Sequence, residues 1–234
     1  MKNTQINLKA TISVAKALGH LLEKVVFVGG AVVSLYIDDP AADDVRPTKD
    51  IDLTFEILSI SALEELRLEL NKKGFRQSHE DKVACRFRLD DKKVDVMSTE
   101  AVGWAPANRW FKDGFAKAYN YNLEEEKIKL LPFPYFLASK FEAFHSRSGH
   151  DARGSHDFED IVYLLNYTSN FDTLILGSDT EVKAFLISCL KQIKESRKLQ
   201  EAVKVNLYFE DQEERFEMIL NKIIKIVEKP YSNS

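Results

Sequence analysis

Asp50 and Asp52 flank a single isoleucine and begin a strand that the β-branched and aromatic content of Ile51 to Ile57 predicts. Successive strand side chains alternate between faces, so both carboxylates leave the same face, with Cα atoms about 7 Å apart. A third acid, Asp95, lies in Lys93-Val94-Asp95-Val96-Met97, where Val94 and Val96 face one way and the acid the other. If the two strands are neighbours in one sheet, three carboxylates meet on a common face. Such a cluster repels itself without cations, whereas hard divalent ions take carboxylate oxygens readily. Two Mg²⁺ about 3.5–4 Å apart would lower the charge on both the attacking and the leaving oxygen of an in-line phosphoryl displacement. Taken singly, Asp50 or Asp52 is equally a strand-edge cap or a partner for Lys49 or Lys93.

The elements that must position these acids are legible on either side of them. Ile6 to Leu22 carries apolar residues at helical spacing, and Val25 to Val28 is a short β-branched run of the kind buried on both faces of a sheet. Gly29 and Gly30 follow at a strand-to-helix turn, before a helix expected over Ala31 to Ile37. There the lack of a Cβ admits phosphate to backbone N–H groups, although a tight turn alone would also ask for glycine. Asp38 to Thr48, DDPAADDVRPT, reads as a mobile surface loop whose four acids are solvated charges. Arg46 and Lys49, flanking the aspartate pair, are candidates to neutralise phosphate or the carboxylates themselves. Ser59 or Ser61 caps a helix over Ala62 to Lys73, ended by Gly74. Ala84 to Met97 then reads as a β-hairpin turning at Asp90-Asp91. Trp104 to Phe111, WAPANRWF, is an aromatic loop in which Trp104 and Trp110 fill core or meet a base. Phe115 to Tyr121 and Lys127 to Leu131 make a second hairpin.

Pro132 and Pro134 mark a change from mixed to helical composition, giving a first lobe over residues 1–131 and a helical lobe over 132–230. In the second lobe a helix carries Lys140, Phe141 and Phe144 and ends near Arg147-Ser148-Gly149. Ser155 caps the next, with Asp157 and Asp160 in its first turn, where the helix dipole alone would favour acids. His145, His150 and His156 are spaced too irregularly for a zinc site and read as surface residues. Ser178 to Val227 is amphipathic and belongs to a helical bundle.

Bulk composition narrows the functions available. With 33 basic and 37 acidic residues among 234, net charge −4, there is no whole-chain positive field for nucleic acid. Residues 72–93 hold eight Lys/Arg against four acids, a local excess that suits RNA phosphate or merely a solvated hairpin. Cys85 and Cys189 have neither metal-ligand nor C-x-x-C spacing and read as small buried hydrophobes in a reducing compartment. Lys9, Lys16 and Lys24 interrupt any signal-peptide run, and no stretch approaches the roughly 20 apolar residues of a membrane span. A cytoplasmic protein without membrane association is expected.

Together, Gly29-Gly30, Asp50-Ile51-Asp52-Leu53 and Val94-Asp95-Val96 resemble the signature of the DNA polymerase beta-like nucleotidyltransferase superfamily. Lys140-x-x-Ala143-x-x-x-Arg147 with Ser155-His156-Asp157-x-x-Asp160 is similar to the helical-lobe motif of AbiEii/AbiGii-type toxins of type IV toxin–antitoxin systems. The gap between the glycines and the first acid is long for that signature, and the Asp38–Thr48 loop accounts for it. The resemblance implies an α+β fold: a small mixed or antiparallel sheet lobe with flanking helices, then a C-terminal helical lobe. It implies Mg²⁺ on Asp50, Asp52 and Asp95, and a nucleoside triphosphate contacted by Gly29, Gly30 and Lys140. Asp157 would orient Lys140 or accept a proton. The implied reaction moves a nucleoside monophosphate from NTP, ATP among them, to an acceptor hydroxyl on RNA, tRNA or protein, with an antitoxin as partner. Three alternatives stay open: a non-catalytic nucleotide- or antitoxin-binding module, an antibiotic-modifying nucleotidyltransferase, and a metal-dependent nuclease, which has no need of a Gly-Gly pair opening a helix.

Overall fold

The central strand β1, Val25–Val28, is buried at every position, as its unbroken apolar run requires. The computed structural model describes residues 2–48, 50–147 and 151–228; Lys49, residues 148–150 and the tail YSNS lie outside the described residues. Two compact units divide the chain, one comprising Met1–Leu35 and Asp44–Ser139, the other Tyr36–Asp43 and Lys140–Ser234.

The first unit is a six-stranded mixed sheet with helices. Its strands are β1, β2 (Asp50–Phe55), β3 (Arg86–Leu89), β4 (Lys92–Ser98), β5 (Tyr119–Leu123) and β6 (Glu126–Leu130), in the order β3-β4-β2-β1-β6-β5. β1 runs antiparallel to β2 and parallel to β6, and β2 runs parallel to β4. Helix α1, Lys2–Leu18, packs Val14, Ala15 and Leu18 inward. Gly19, at φ +53°, stops it short of Leu22, and a 3₁₀ turn over Gly19–Lys24 leads into β1. Helix α2, Ile60–Lys72, is capped by Ser59, whose hydroxyl accepts from the Ala62 N–H. Both hairpins form, turning at Asp90 and Glu124, each with φ of 54°, the second with its first strand starting later than expected, at Tyr119.

Two elements depart from expectation. Gly30–Leu35 is a six-residue 3₁₀ helix rather than an α-helix continuing to Ile37. The segment expected to begin a strand at Phe115 instead forms α3, Phe111–Ala116, after a Trp110 that is fully buried. Burying Trp110 and Phe111 side by side suits a helical turn better than an alternating strand.

The second unit is helical: α4 (Phe133–Arg147, entered from the first unit), α5 (His156–Tyr167), α6 (Phe171–Leu176), α7 (Thr180–Glu195), α8 (Arg197–Val205) and α9 (Gln212–Glu228). The apolar face of α9 packs against α5, α6, α7 and α8. Ser155 caps α5 through the Phe158 N–H. No helix among the described residues is long and apolar enough to cross a membrane.

The acid-rich loop differs most from its expected solvated, mobile character, because its acids have been given hydrogen-bond donors. In the second unit Asp38 accepts from the Ser169 N–H and hydroxyl at 2.8 and 2.7 Å, Asp39 accepts from Arg215 at 2.8 Å, and the Tyr167 hydroxyl donates to Asp43. These bonds hold the Asp38 and Asp39 carboxyls below the usual carboxylate range. In the first unit Asp44 accepts from the backbone of Asn3 and Thr4, the exposed N–H groups at the start of α1. The loop is therefore a pair of anchors.

Both cysteines are free and buried, as expected. Burial, and next the charge of Asp95, pushes the Cys85 thiol up to about 11; burial pushes Cys189 up to about 12. Because only thiolate reacts, the native chain at pH 8 should carry roughly a hundredfold less reactive thiolate than the unfolded one. A thiol-specific chromogenic reagent is expected to label neither cysteine until denaturant is added, and rapid labelling of the native chain would refute that burial.

Candidate active site

Strand register brings the three acids together. Asp52 lies directly opposite Asp95 across the parallel β2–β4 pair, and Asp50 sits two residues before Asp52 on the same face. Asp52 is also opposite Val28 on β1, immediately before Gly29. The glycine is a necessity there. Its φ is +75°, and a Cβ built on it would fall 1.7 Å from Asp52 Oδ2. Gly29→Ala is accordingly expected to cost roughly 1–3 kcal/mol and to turn the Asp52 carboxylate away, losing activity together with stability. A thermal midpoint equal to that of the parent would count against this packing.

A residue with no sequence signal completes the cluster. Arg86 lies in the alternating run before the hairpin turn, and β3 pairs it opposite Asp95. Its Nε and Nη2 donate to the two oxygens of Asp95, both at 2.7 Å, and Nη2 also donates to Asp50 Oδ2 at 3.1 Å. Arg86 and Asp95 are each only 15% exposed at the side chain. The Asp95 bonds, and its charge with that of Asp50, raise the guanidinium pKa further above its ordinary value.

The donor set fits a hard divalent cation. Three carboxylates share one face, Asp50 Oδ1 is buried without a hydrogen-bond partner, and Gly29 leaves room beside Asp52. In the arrangement described, however, no group of three or more His, Cys, Asp or Glu side chains among the described residues is placed to hold a metal ion. Arg86 takes three of the carboxylate oxygens that would serve.

Arg86 also lines a cleft of about 450 Å³, with Arg67, Arg76, Gln77, Asp81 and Trp104. Trp104 is half-buried there, its indole N–H donating to Glu64 at 3.1 Å and its ring 5.7 Å from Phe87. Within the basic stretch 72–93, Arg86 pairs with Asp50 and Asp95, Arg88 with Asp81 and Glu80, and Lys92 with Asp91, while Arg67, outside the stretch, pairs with Glu64.

Of the other expected contacts, Gly30 opens the 3₁₀ turn, and Arg46 lies in the loop before β2, its carbonyl accepting from Asn7. Lys49 is outside the described residues. In the second unit Lys140, 6% exposed at its side chain, donates to Asp160 at 2.6 Å; Asp157 stands 3.9 Å from the same ammonium and 3.5 Å from Arg147. The closer acid is thus Asp160, one helical turn beyond the residue favoured from sequence.

Parallel and antiparallel strands thus bring three acids to one face of the sheet, with a glycine opened for one of them. The family model of the nucleotidyl transferase AbiEii toxin, type IV toxin–antitoxin system, matches residues 15–230. The chain belongs to that family, and the class expected from its residues is borne out. Among solved structures it is similar to an antigenic nucleotidyltransferase-like protein from Paracoccidioides brasiliensis, at 18% identity and a TM-score of 0.48, over 85% of this chain and 93% of that one. No curated protein matches the chain.

Proposed function

We propose that the chain is a Mg²⁺-dependent nucleotidyltransferase that moves a nucleoside monophosphate from NTP to a hydroxyl of RNA, releasing pyrophosphate, and that it acts as a toxin restrained by an antitoxin. The observation that carries this is the register of Asp52 with Asp95, with Asp50 on the same face and Gly29 beside them. A divalent ion bound by those carboxylates would offset charge on the attacking and leaving oxygens. The chain's own residues do the rest. Asp50, Asp52 and Asp95 supply the ligand oxygens, and Asp95 assists loss of the proton from the acceptor hydroxyl. Gly29 and Gly30 offer backbone N–H groups to phosphate without a Cβ in the way. Lys140 is assigned to phosphate charge, with Asp157 and Asp160 orienting its ammonium.

An RNA acceptor is favoured over protein by the cleft that Arg86 shares with Arg67, Arg76 and Trp104, groups suited to phosphate and to a stacked base. Incubating the protein with Mg²⁺, each labelled NTP in turn and a total cell extract should give a labelled product sensitive to RNase. A protease-sensitive band would move the acceptor to protein. No labelled product with any of the four NTPs would overturn the transferase assignment in favour of a non-catalytic binding module.

A further inference from the structure

Arg86 occupies the place where the metal-site hypothesis needs a cation. Its guanidinium engages both oxygens of Asp95 and one of Asp50, and the three bonds lie between 2.7 and 3.1 Å. This is not a stray surface pair, because Arg86 and Asp95 are largely withdrawn from water and meet in bidentate geometry. Three carboxylates and one guanidinium leave a local charge of −2, so the cluster still attracts a divalent ion. A guanidinium and such an ion cannot share the same oxygens, since two cations a few ångströms apart repel strongly in a partly desolvated site. The cleft lined by Arg86 gives the side chain somewhere to go.

We propose that Arg86 is an internal cation that keeps the metal-site carboxylates engaged in the ligand-free chain, so that a divalent ion enters only by displacing its guanidinium into the adjoining cleft. The inference rests on the reading of Asp50, Asp52 and Asp95 as the metal site. It has a consequence for substrate. Once displaced, the guanidinium is a fork-shaped donor facing an open cleft, and an anionic group there compensates it. Phosphate in the cleft therefore favours metal on the carboxylates, and by linkage metal favours phosphate by the same factor. Arg86 acts through the carboxylates and is a positioning residue.

The test is direct titration of Mn²⁺, followed by loss of the free-ion paramagnetic resonance signal, in the absence of nucleotide. Arg86→Ala is expected to bind Mn²⁺ about tenfold or more tightly than the parent, because a bidentate competitor has been removed. Its thermal midpoint should fall in chelator and recover with Mn²⁺, whereas the parent's should respond far less. Arg86→Gln keeps most of the side-chain volume without the charge and gives the same comparison if the alanine variant does not fold. Adding Asp95→Asn to the Arg86 variant should remove the gain. Equal Mn²⁺ affinity in the parent and the Arg86 variants, with Asp95→Asn weakening both, would overturn the displacement inference while leaving the metal site standing. Mn²⁺ binding indifferent to Asp95 in every background would overturn the metal reading, and this inference with it.

Discussion

Asp50→Asn combined with Asp52→Asn is expected to reduce transfer of labelled nucleoside monophosphate by roughly 10³-fold or more while leaving the chain folded. The two halves of that expectation have separate causes. Activity is lost because an amide oxygen carries no charge for a divalent ion, and two of the three candidate ligands are neutralised at once. Folding survives because the main ion pair of the cluster is left in place. Asp95 keeps its bidentate bond to Arg86, and Asp50 contributes a single longer bond of 3.1 Å. Removing two like charges from a cluster with one guanidinium relieves repulsion, so the thermal midpoint should hold or rise slightly, as at sites where function and stability compete. Far-UV circular dichroism and a thermal scan, run beside the transfer assay, separate the two. Normal transfer by the double variant would sink the proposed chemistry, whereas loss of transfer accompanied by collapse of the fold would show that the acids are structural.

How much of this could be read from residues alone depends on the range of the interaction. Strand parity is a local property, so the common face of Asp50 and Asp52 and the opposite orientation of Val94 and Val96 followed from spacing. That β2 and β4 would be neighbours was a conditional expectation, and the register Asp52 to Asp95 met it. Cap chemistry was equally local: Ser59 and Ser155 do what serine before an apolar run does. Arg86 escaped because alternation gives the face a side chain leaves from but not which acid waits across the strand pair. The Asp38–Thr48 loop misled for a related reason. Polar, proline-containing sequence normally means solvated loop, yet the donors that bind its acids, Ser169 and Arg215 among them, lie more than a hundred residues away. Gly29 shows the gain from structure most clearly: sequence left a tight turn and a phosphate contact both open, and the 1.7 Å approach to Asp52 adds a third reason for glycine, making room for a carboxylate.

Lys140→Met is expected to destabilise the helical unit by about 3–5 kcal/mol, the range seen when one partner of a buried ion pair is removed. The side chains of Lys140, Asp157 and Asp160 are 6%, 12% and 4% exposed, so water can do little for carboxylates left without the ammonium. Arg147, 3.5 Å from Asp157 but 71% exposed, is too well solvated to replace it. Methionine keeps the volume of the buried stem, so the loss measured by denaturant unfolding reports charge rather than a cavity. An unchanged unfolding midpoint would refute the structural role. The companion variant, Lys140→Met with Asp160→Leu, replaces the closer pair by apolar groups and should recover part of the stability, Asp157 being left with the exposed Arg147. That recovery separates two roles of one residue. If Lys140 only holds α4 to α5, the partly restabilised double variant regains transfer; if its ammonium also neutralises the triphosphate, transfer stays low in a folded protein, with KM for NTP raised. The second outcome is the expected one, because an ammonium built in at the cost of burial beside two acids is more than helix packing requires.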